Sequence, residues 1–232
     1  MAFVPPFAPL VVLAFLGTAA LLFLAVLAVA VAVLARWPRL ARVVGFGAMT
    51  VAGVCVGLLL LLSVTSRQNV LPPGGKKYFC EIDCHLAYSV EDVAWLKRLD
   101  TEAGELRPGG TFCVVKVRTW FDPATIAPFR GNGPLTPNPR RITAVDERGR
   151  QYEPSDPAIA ALLASGRRDS TPITQALRPG ESYTTSLVFD LPDTVRSPLL
   201  LITGRPSVER FLLGHEDSLL HKKVFFSLGT RN

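Results

Sequence analysis

Two long apolar runs separated by a short basic turn constrain this chain more than any other feature. Leu10 to Ala35 carries no charge, Arg36-Trp37-Pro38-Arg39-Leu40-Ala41-Arg42 interrupts, and Val43 to Val64 is again uncharged. Each run exceeds the roughly 20 residues that a helix needs to cross a hydrocarbon core of about 30 Å. Residues 1–66 therefore read as a two-helix transmembrane hairpin with spans at 10–35 and 43–64. No charge precedes the three turn arginines, so the positive-inside rule puts the turn in the cytoplasm and both flanks outside. A cleaved signal peptide has a basic start and a shorter apolar core. Met1 to Ala35 has neither, so the first span is read as retained. The expected location is the cell membrane, multi-pass, with the N-terminus and the C-terminal region extracytoplasmic, periplasmic in a bacterial envelope. In the second span Gly53 and Gly57 form a Gly-x-x-x-Gly pair able to admit a helix backbone, the hairpin's own first helix being the nearest candidate.

The net charge of +6 raises the question of nucleic acid. Setting aside Arg36, Arg39, Arg42 and Arg67 leaves 21 basic residues against 19 acidic ones, a net +2. The remaining pairs Arg140-Arg141, Arg167-Arg168 and Lys222-Lys223 are isolated and do not track a phosphate backbone. No nucleic-acid partner is expected. Residues 67–75, with Pro72-Pro73-Gly74-Gly75, stop the second helix and read as a linker. Residues 76–232 are long enough for one core and too short for two.

Short β-branched and aromatic segments recur between turn signals in that region. Tyr78 to Asp83, Leu86 to Val93, Thr111 to Phe121, Arg141 to Val145, Ser182 to Leu191, Leu199 to Thr203 and Lys223 to Leu228 read as strands. Asp146-Glu147-Arg148-Gly149 suits a hairpin turn, and Arg178-Pro179-Gly180-Glu181 places Pro and Gly as a type II turn requires. One helix is expected from Asp156, as its cap, to a close at Gly166, packed across a sheet edge or end. A second short helix is weighed over Asp92 to Leu99. The fold class that follows is a transmembrane hairpin followed by an all-β immunoglobulin-like sandwich with one short helix. The Pro-rich stretch Asp122 to Pro139 reads as an ordered surface excursion, the first place to look for a functional loop.

Asp146-Glu147-Arg148-Gly149-Arg150-Gln151-Tyr152, then Leu177-Arg178-Pro179-Gly180-Glu181, then Leu187-Val188-Phe189-Asp190-Leu191-Pro192 resembles the telokin-like, immunoglobulin-like modules of bacterial lipoproteins and membrane-anchored surface proteins. The likeness covers the second half of the soluble region and consists of turn chemistry. It implies a β-sandwich used for binding or scaffolding and transfers no catalytic residue. The family's signal peptide or lipobox is replaced here by the hairpin.

Cys80-Glu81-Ile82-Asp83-Cys84-His85 concentrates the chain's reactive side chains, with Cys113 as the third soluble-region thiol. An oxidising compartment favours one disulfide among Cys80, Cys84 and Cys113. On an extended strand Cys80 and Cys84 stand about 13 Å apart, beyond the roughly 7 Å reach of a bridge, so Cys113 is the expected partner of one of them. The motif differs by one residue from the Cys-x-x-Cys-His haem signature. The layout is similar to that of cytochrome oxidase subunit II, whose copper loop also has Cys-x-x-x-Cys. That loop needs a His and a Met where Tyr88 and Glu91 stand, so the assignment fails and no cofactor is expected. A zinc or copper site from Cys80, Cys84, His85 and His221 is the remaining metal alternative. His215-Glu216-Asp217-Ser218 reads as a polar turn before the last strand, and no catalytic motif accompanies it.

The sequence thus points to a membrane-anchored extracytoplasmic module that binds or scaffolds an envelope protein without catalysis of its own. Its contact surface is expected at Trp120, Phe121, Phe129 and Arg130. The competing expectations are a metal-handling or electron-transfer domain around Cys80, Cys84 and His85, and an accessory subunit assembled into a larger membrane complex through the Gly53/Gly57 face.

Overall fold

The computed structural model describes residues 2–4, 8–79, 85–101, 104–126, 129–165, 170–204 and 209–231. Fifteen helices and strands follow one another in the order β1 (Ala2–Phe3), α1 (Ala8–Leu34), α2 (Pro38–Val64), β2 (Asn69–Leu71), β3 (Lys76–Phe79), β4 (Leu86–Leu96), β5 (Leu99–Thr101), β6 (Gly104–Leu106), β7 (Thr111–Phe121), β8 (Arg141–Val145), β9 (Gln151–Tyr152), α3 (Asp156–Ala164), β10 (Ser182–Leu191), β11 (Leu199–Thr203) and β12 (Val224–Ser227). The chain divides into two compact units. One joins residues 1–5, 68–205 and 223–232, and the other joins residues 6–67 with 206–222.

In the helical unit α1 and α2 are apolar on every side. The best apolar stretch of α1 is 0% buried and that of α2 is 11% buried, whereas the central helix of a soluble core is enclosed. The turn between them is tighter than the sequence suggests. Arg36 takes a positive φ of 57°, Pro38 starts α2, and Arg39 and Arg42 fall in its first two turns. Proline fits there because its missing N–H belongs to the unpaired first turn.

The β unit is built from two five-stranded sheets, in the orders β1-β3-β4-β7-β10 and β2-β12-β11-β8-β9, and a small two-stranded sheet, β5-β6. Their inward side chains share one core, with Tyr88, Val115, Val117 and Phe189 from the first sheet meeting Ala144, Leu200 and Phe226 from the second. Strand alternation explains the sorting. On β7, Cys113, Val115 and Val117 point into that core, while Phe112 and Val114 point outward to a second apolar cluster. The outer cluster exists because α3 lies there, contributing Ala158, Ala161 and Leu162. A strand covered on both faces reads as a continuous apolar run, as Phe112 to Val115 does. The helix thus packs on a sheet face rather than across an edge or end. Ser155, not Asp156, is its cap, its hydroxyl accepting the Ala158 N–H at 3.4 Å. The expected close at Gly166 lies outside the described residues.

Six of the seven expected strands are present over most of their length. The expected strand from Tyr78 is described only to Phe79, since residues 80–84 lie outside the described part. The helix weighed over Asp92 to Leu99 is absent: β4 continues to Leu96, pairing Trp95 with Cys113 and Leu96 with Phe112. The segment read as a linker is also folded. Asn69–Leu71 forms β2, parallel to β12, and Leu71 is 0% exposed in the core. Its apolar Val70-Leu71 pair satisfies a sheet edge that only β12, far along the chain, can provide. At the other side of the hairpin, Ala2 and Phe3 pair with Lys76 and Lys77. In chain order, therefore, the two helices lie between strands β1 and β2 of the β unit.

Candidate functional site

The root of the Asp122 to Pro139 excursion is set by one register. Phe79 pairs with Leu86 and Leu86 with Phe121, which aligns the ends of β3, β4 and β7. Alternation then sends Tyr78, Trp120 and Asp122 to the outer side of the sheet and Lys77, Phe79 and Phe121 to the inner side.

On the outer side the Tyr78 hydroxyl donates to Asp122 Oδ2 at 2.6 Å, and Asp122 Oδ1 accepts the Ala124 N–H at 2.9 Å. Burial and the neighbouring carboxylate push the Tyr78 phenol well above its ordinary range. Lys76 Nζ lies 3.6 Å from the Trp120 ring centroid. The Thr125 hydroxyl donates to the Asp122 carbonyl at 3.1 Å, leaving a lone pair for His85, whose Nδ1 is 2.8 Å away. That assigns the proton of His85 to Nδ1. The Asp122 N–H closes the arrangement by donating to the His85 carbonyl at 2.8 Å. Each of these bonds fixes backbone at the point where β7 leaves the sheet.

The inner side repeats one device. The His85 ring stacks on Phe121 at 5.4 Å between centroids. The Arg130 guanidinium sits 4.8 Å from the Phe121 centroid, and that of Arg140 sits 4.2 Å from Phe79. The excursion is therefore tied down midway, at Arg130, and just past its end, at Arg140, each time by an arginine on an aromatic ring. Between these points it is held by the reciprocal bridge between Leu135 and Leu177, with N–H···O distances of 2.8 and 3.0 Å. Arg178 adds a bond from its guanidinium to the Asn132 carbonyl at 3.1 Å. The turn that presents Arg178 is the expected one: Gly180 has φ 84°, open to glycine, and Glu181 N–H bonds the Arg178 carbonyl at 3.0 Å.

Of the four residues expected to form the contact surface, the structure separates three locations. Phe129 is 93% exposed on the excursion, with Arg130 half-buried beside it. Trp120 is half-buried on the outer sheet face under Lys76. Phe121 is 0% exposed and belongs to the core. It is thus not a contact residue, because adjacent strand positions face opposite ways and its inward face is taken by His85 and Arg130.

The cysteine expectations change as well. Cys113 is a free, buried thiol inside β7, and burial lifts its pKa to about 12. It stands opposite Trp95 and Phe189 in the sheet register, and the bridge expected to Cys80 or Cys84 involves residues outside the described part. Cys80 and Cys84 lie outside the described residues. Among the described residues no group of three or more His, Cys, Asp or Glu could hold a metal. His85 and His221 belong to different compact units, and His221 Nδ1 lies 2.7 Å from the Lys222 carbonyl. The region around His215 is a polar turn, but Glu216, Asp217 and Ser218 are buried in it. Gly53 and Gly57 face open space, since a Cβ at either meets nothing within 4 Å. Helix α1 therefore does not occupy that face.

The sequence reading missed Lys77. Its Nζ is buried between the sheets and donates to the carbonyls of Ile202 at 2.7 Å and Val224 at 3.4 Å. Alternation places Lys77 and Phe79 on one face, but nothing in the sequence marks a lysine as inward.

No protein-family model and no curated protein matches the chain. Among solved structures it is similar to a conserved hypothetical protein from Bacillus anthracis, at 19% identity and a TM-score of 0.39 over 54% of this chain and 89% of that one. It is also similar to the yjhA protein of Bacillus subtilis, at 12% identity and a TM-score of 0.41 over 69% of this chain and 100% of that one. A third similar structure is the secreted protein MPT63 of Mycobacterium tuberculosis, at 12% identity and a TM-score of 0.42 over 70% of this chain and 97% of that one.

Proposed function

We propose that this chain is a membrane-anchored envelope protein whose immunoglobulin-like, telokin-like β unit binds another envelope protein through the Phe129–Arg130 excursion, without catalysis of its own. In this reading α1 and α2 cross the membrane with the arginine turn in the cytoplasm. Their apolar, uncovered surfaces support that. Strands β1 and β2, which flank the two helices along the chain, both belong to the β unit, the chain order that a two-span hairpin anchor would have.

The observation that carries the binding proposal is Phe129, 93% exposed on a segment held by the Leu135–Leu177 bridge. A large aromatic presented on a pinned loop loses little conformational freedom on docking, the property that makes such residues binding anchors. Flanking Arg130 and Arg178 favour a partner whose apolar pocket has an acidic rim.

The test is a photo-crosslinking residue at position 129 of the full chain in its native membrane, with position 163 as control. Leu163 is also exposed, at 40%, but lies on α3. A discrete crosslinked product at 129 and not at 163 is expected. Equal or absent crosslinking at both positions would refute the proposed surface.

A further inference from the structure

Within the helical unit, α1, α2 and the segment Arg210 to Leu219 enclose an apolar groove of about 400 Å³, within the roughly 300–1,000 Å³ of small-molecule sites. Its α1 wall is one helical stripe running from Val11 through Phe15 and Thr18 to Leu22. The α2 wall runs from Ala52 through Cys55 to Leu60. Small residues at positions 14, 19 and 52 leave the space between the two walls unfilled. Thr18, Cys55 and Arg210 are the polar residues of an otherwise apolar lining.

The open end of the hairpin is where the groove begins. The segment that caps it is fastened to the last turns of α2: Lys222 N–H donates to Ser66 Oγ at 2.8 Å, and Gly214 approaches Leu62. A bond from Leu219 N–H to the Arg210 carbonyl at 3.1 Å closes the cap on itself. Phe211, Leu219 and Leu220 remain exposed on it, at 63%, 55% and 62%. Apolar side chains beside an arginine are the composition of an element lying in a membrane interface.

From Val11 to Leu22 the groove extends about 17 Å at about 1.5 Å per residue, close to half of a hydrocarbon core of about 30 Å. A slot one leaflet deep, apolar along its length and cationic at its mouth, matches one class of molecule. We infer that the groove holds an acyl chain of an anionic phospholipid from the outer leaflet, with Arg210 against the headgroup phosphate. The inference rests on the membrane-spanning reading of α1 and α2. Charge complementarity at Arg210 and the match of depth to a single leaflet select a lipid over a second protein helix, which needs no cation at one end.

The experiment uses the full chain. Alkaline carbonate extraction of native membranes first separates the two ideas: release of the chain removes the spanning reading and the lipid site with it. For chain retained in the membrane, native mass spectrometry after stringent detergent washing, then titration with phosphatidylglycerol or phosphatidylcholine, reads the site. One phosphatidylglycerol per chain is expected to persist. Ala19→Phe with Ala52→Phe fills the groove and abolishes retention of either lipid. Arg210→Gln, at an exposed position, lowers phosphatidylglycerol retention about fivefold, the value of one surface cation, and lowers that of phosphatidylcholine, whose phosphate is offset by its own choline cation, by less. Arg210→Lys restores most of the preference. Unchanged retention in the filled variant, equal retention of the two lipids by the native chain, or a lipid-free dimer would each overturn the inference.

Discussion

Helix α1 and strand β7 are both strongly apolar, yet they use that character in opposite ways. Along β7 eight of eleven residues are buried, divided between the inter-sheet core and the cluster under α3. Among the described residues of α1 Ala32 is buried, while Leu13, Phe23, Val26 and Leu34 are all more than 60% exposed. The strand's hydrophobicity stabilises the protein by internal packing. Most of the helix's apolar surface is left uncovered by the described residues, apart from the side that faces α2. Mean hydropathy alone cannot tell these two situations apart; length and the presence or absence of polar punctuation can.

The sharpest way to break this comparison is to truncate one phenylalanine in each region. Phe189 is 0% exposed at the centre of the inter-sheet core, and Phe189→Ala is expected to cost about 3–5 kcal/mol. Phe23 is 64% exposed on α1, and Phe23→Ala is expected to change the stability of the β unit by less than about 0.5 kcal/mol. Urea titration of the detergent-solubilised chain, followed by tryptophan fluorescence, measures both. A comparable loss at Phe23 would mean that α1 is part of a packed core.

The second substitution sharpens the contrast by charge. Leu21→Lys, midway along α1 and 52% exposed at present, is expected to oppose membrane insertion by about 2.5–3.5 kcal/mol. A lysine at exposed Gln151 of β9 is expected to alter stability by less than about 0.5 kcal/mol. Membrane integration read by carbonate extraction checks the first, and the same urea titration checks the second. If Leu21→Lys integrates as efficiently as the native chain, the helix surface does not face hydrocarbon.

The long strands were legible in the sequence because a strand such as Ser182 to Leu191 carries its alternation within itself. The pairs that were missed carry almost none. β1, β2, β5, β6 and β9 are two or three residues long, and β1 and β2 are each defined by a partner distant in the chain. Pro72-Pro73-Gly74-Gly75 signals a break in the backbone correctly, but it cannot reveal that Leu71 just before it is a core residue. At the candidate site, the proline pattern marks the excursion that carries Phe129 and Arg130. The Tyr78–Asp122 and His85–Thr125 contacts depend on the Phe79–Leu86–Phe121 register, which exists only once three strands have paired. The same is true of the groove cap, where residues 206–222 leave the β unit to join helices some 150 positions earlier.

A third test concerns a polar group that the β unit encloses and the helices lack. Asp146 is 6% exposed. Its Oδ1 accepts the N–H groups of Arg148 and Arg150 at 2.9 Å each, and its Oδ2 accepts Arg150 Nε at 2.7 Å and the Tyr152 hydroxyl at 3.1 Å. Burial opposes the ionised form, but those bonds outweigh it and draw the pKa down to about 2. A carboxylate whose pKa is lower in the folded than in the unfolded chain stabilises above its unfolded value, near 3.9, and that gain fades as pH falls through the folded value. Asp146→Asn is therefore expected to cost about 1–3 kcal/mol at pH 7, with the difference from the native protein shrinking from about pH 4 to pH 2. Urea midpoints measured across that range test it. A deficit independent of pH would mean that turn geometry rather than the charge sets the loss.

The smallest expected effect on stability falls on the residue with the largest expected effect on binding. Phe129 resembles the α1 side chains in exposing apolar surface, at 93%, but it stands alone and on a loop rather than in a continuous apolar sleeve. Lone exposed apolar residues are common, so its exposure acquires meaning from the bonds around it: Arg130 on Phe121, Arg178 on the Asn132 carbonyl, and the Leu135–Leu177 bridge. None of these passes through the Phe129 ring. Phe129→Ala is accordingly expected to shift the unfolding midpoint by less than about 0.5 kcal/mol while weakening a partner's affinity by about 2 kcal/mol or more, some thirtyfold. If the same substitution destabilises the β unit by as much as Asp146→Asn does, the ring packs in solution, and its position on the excursion reflects folding rather than recognition.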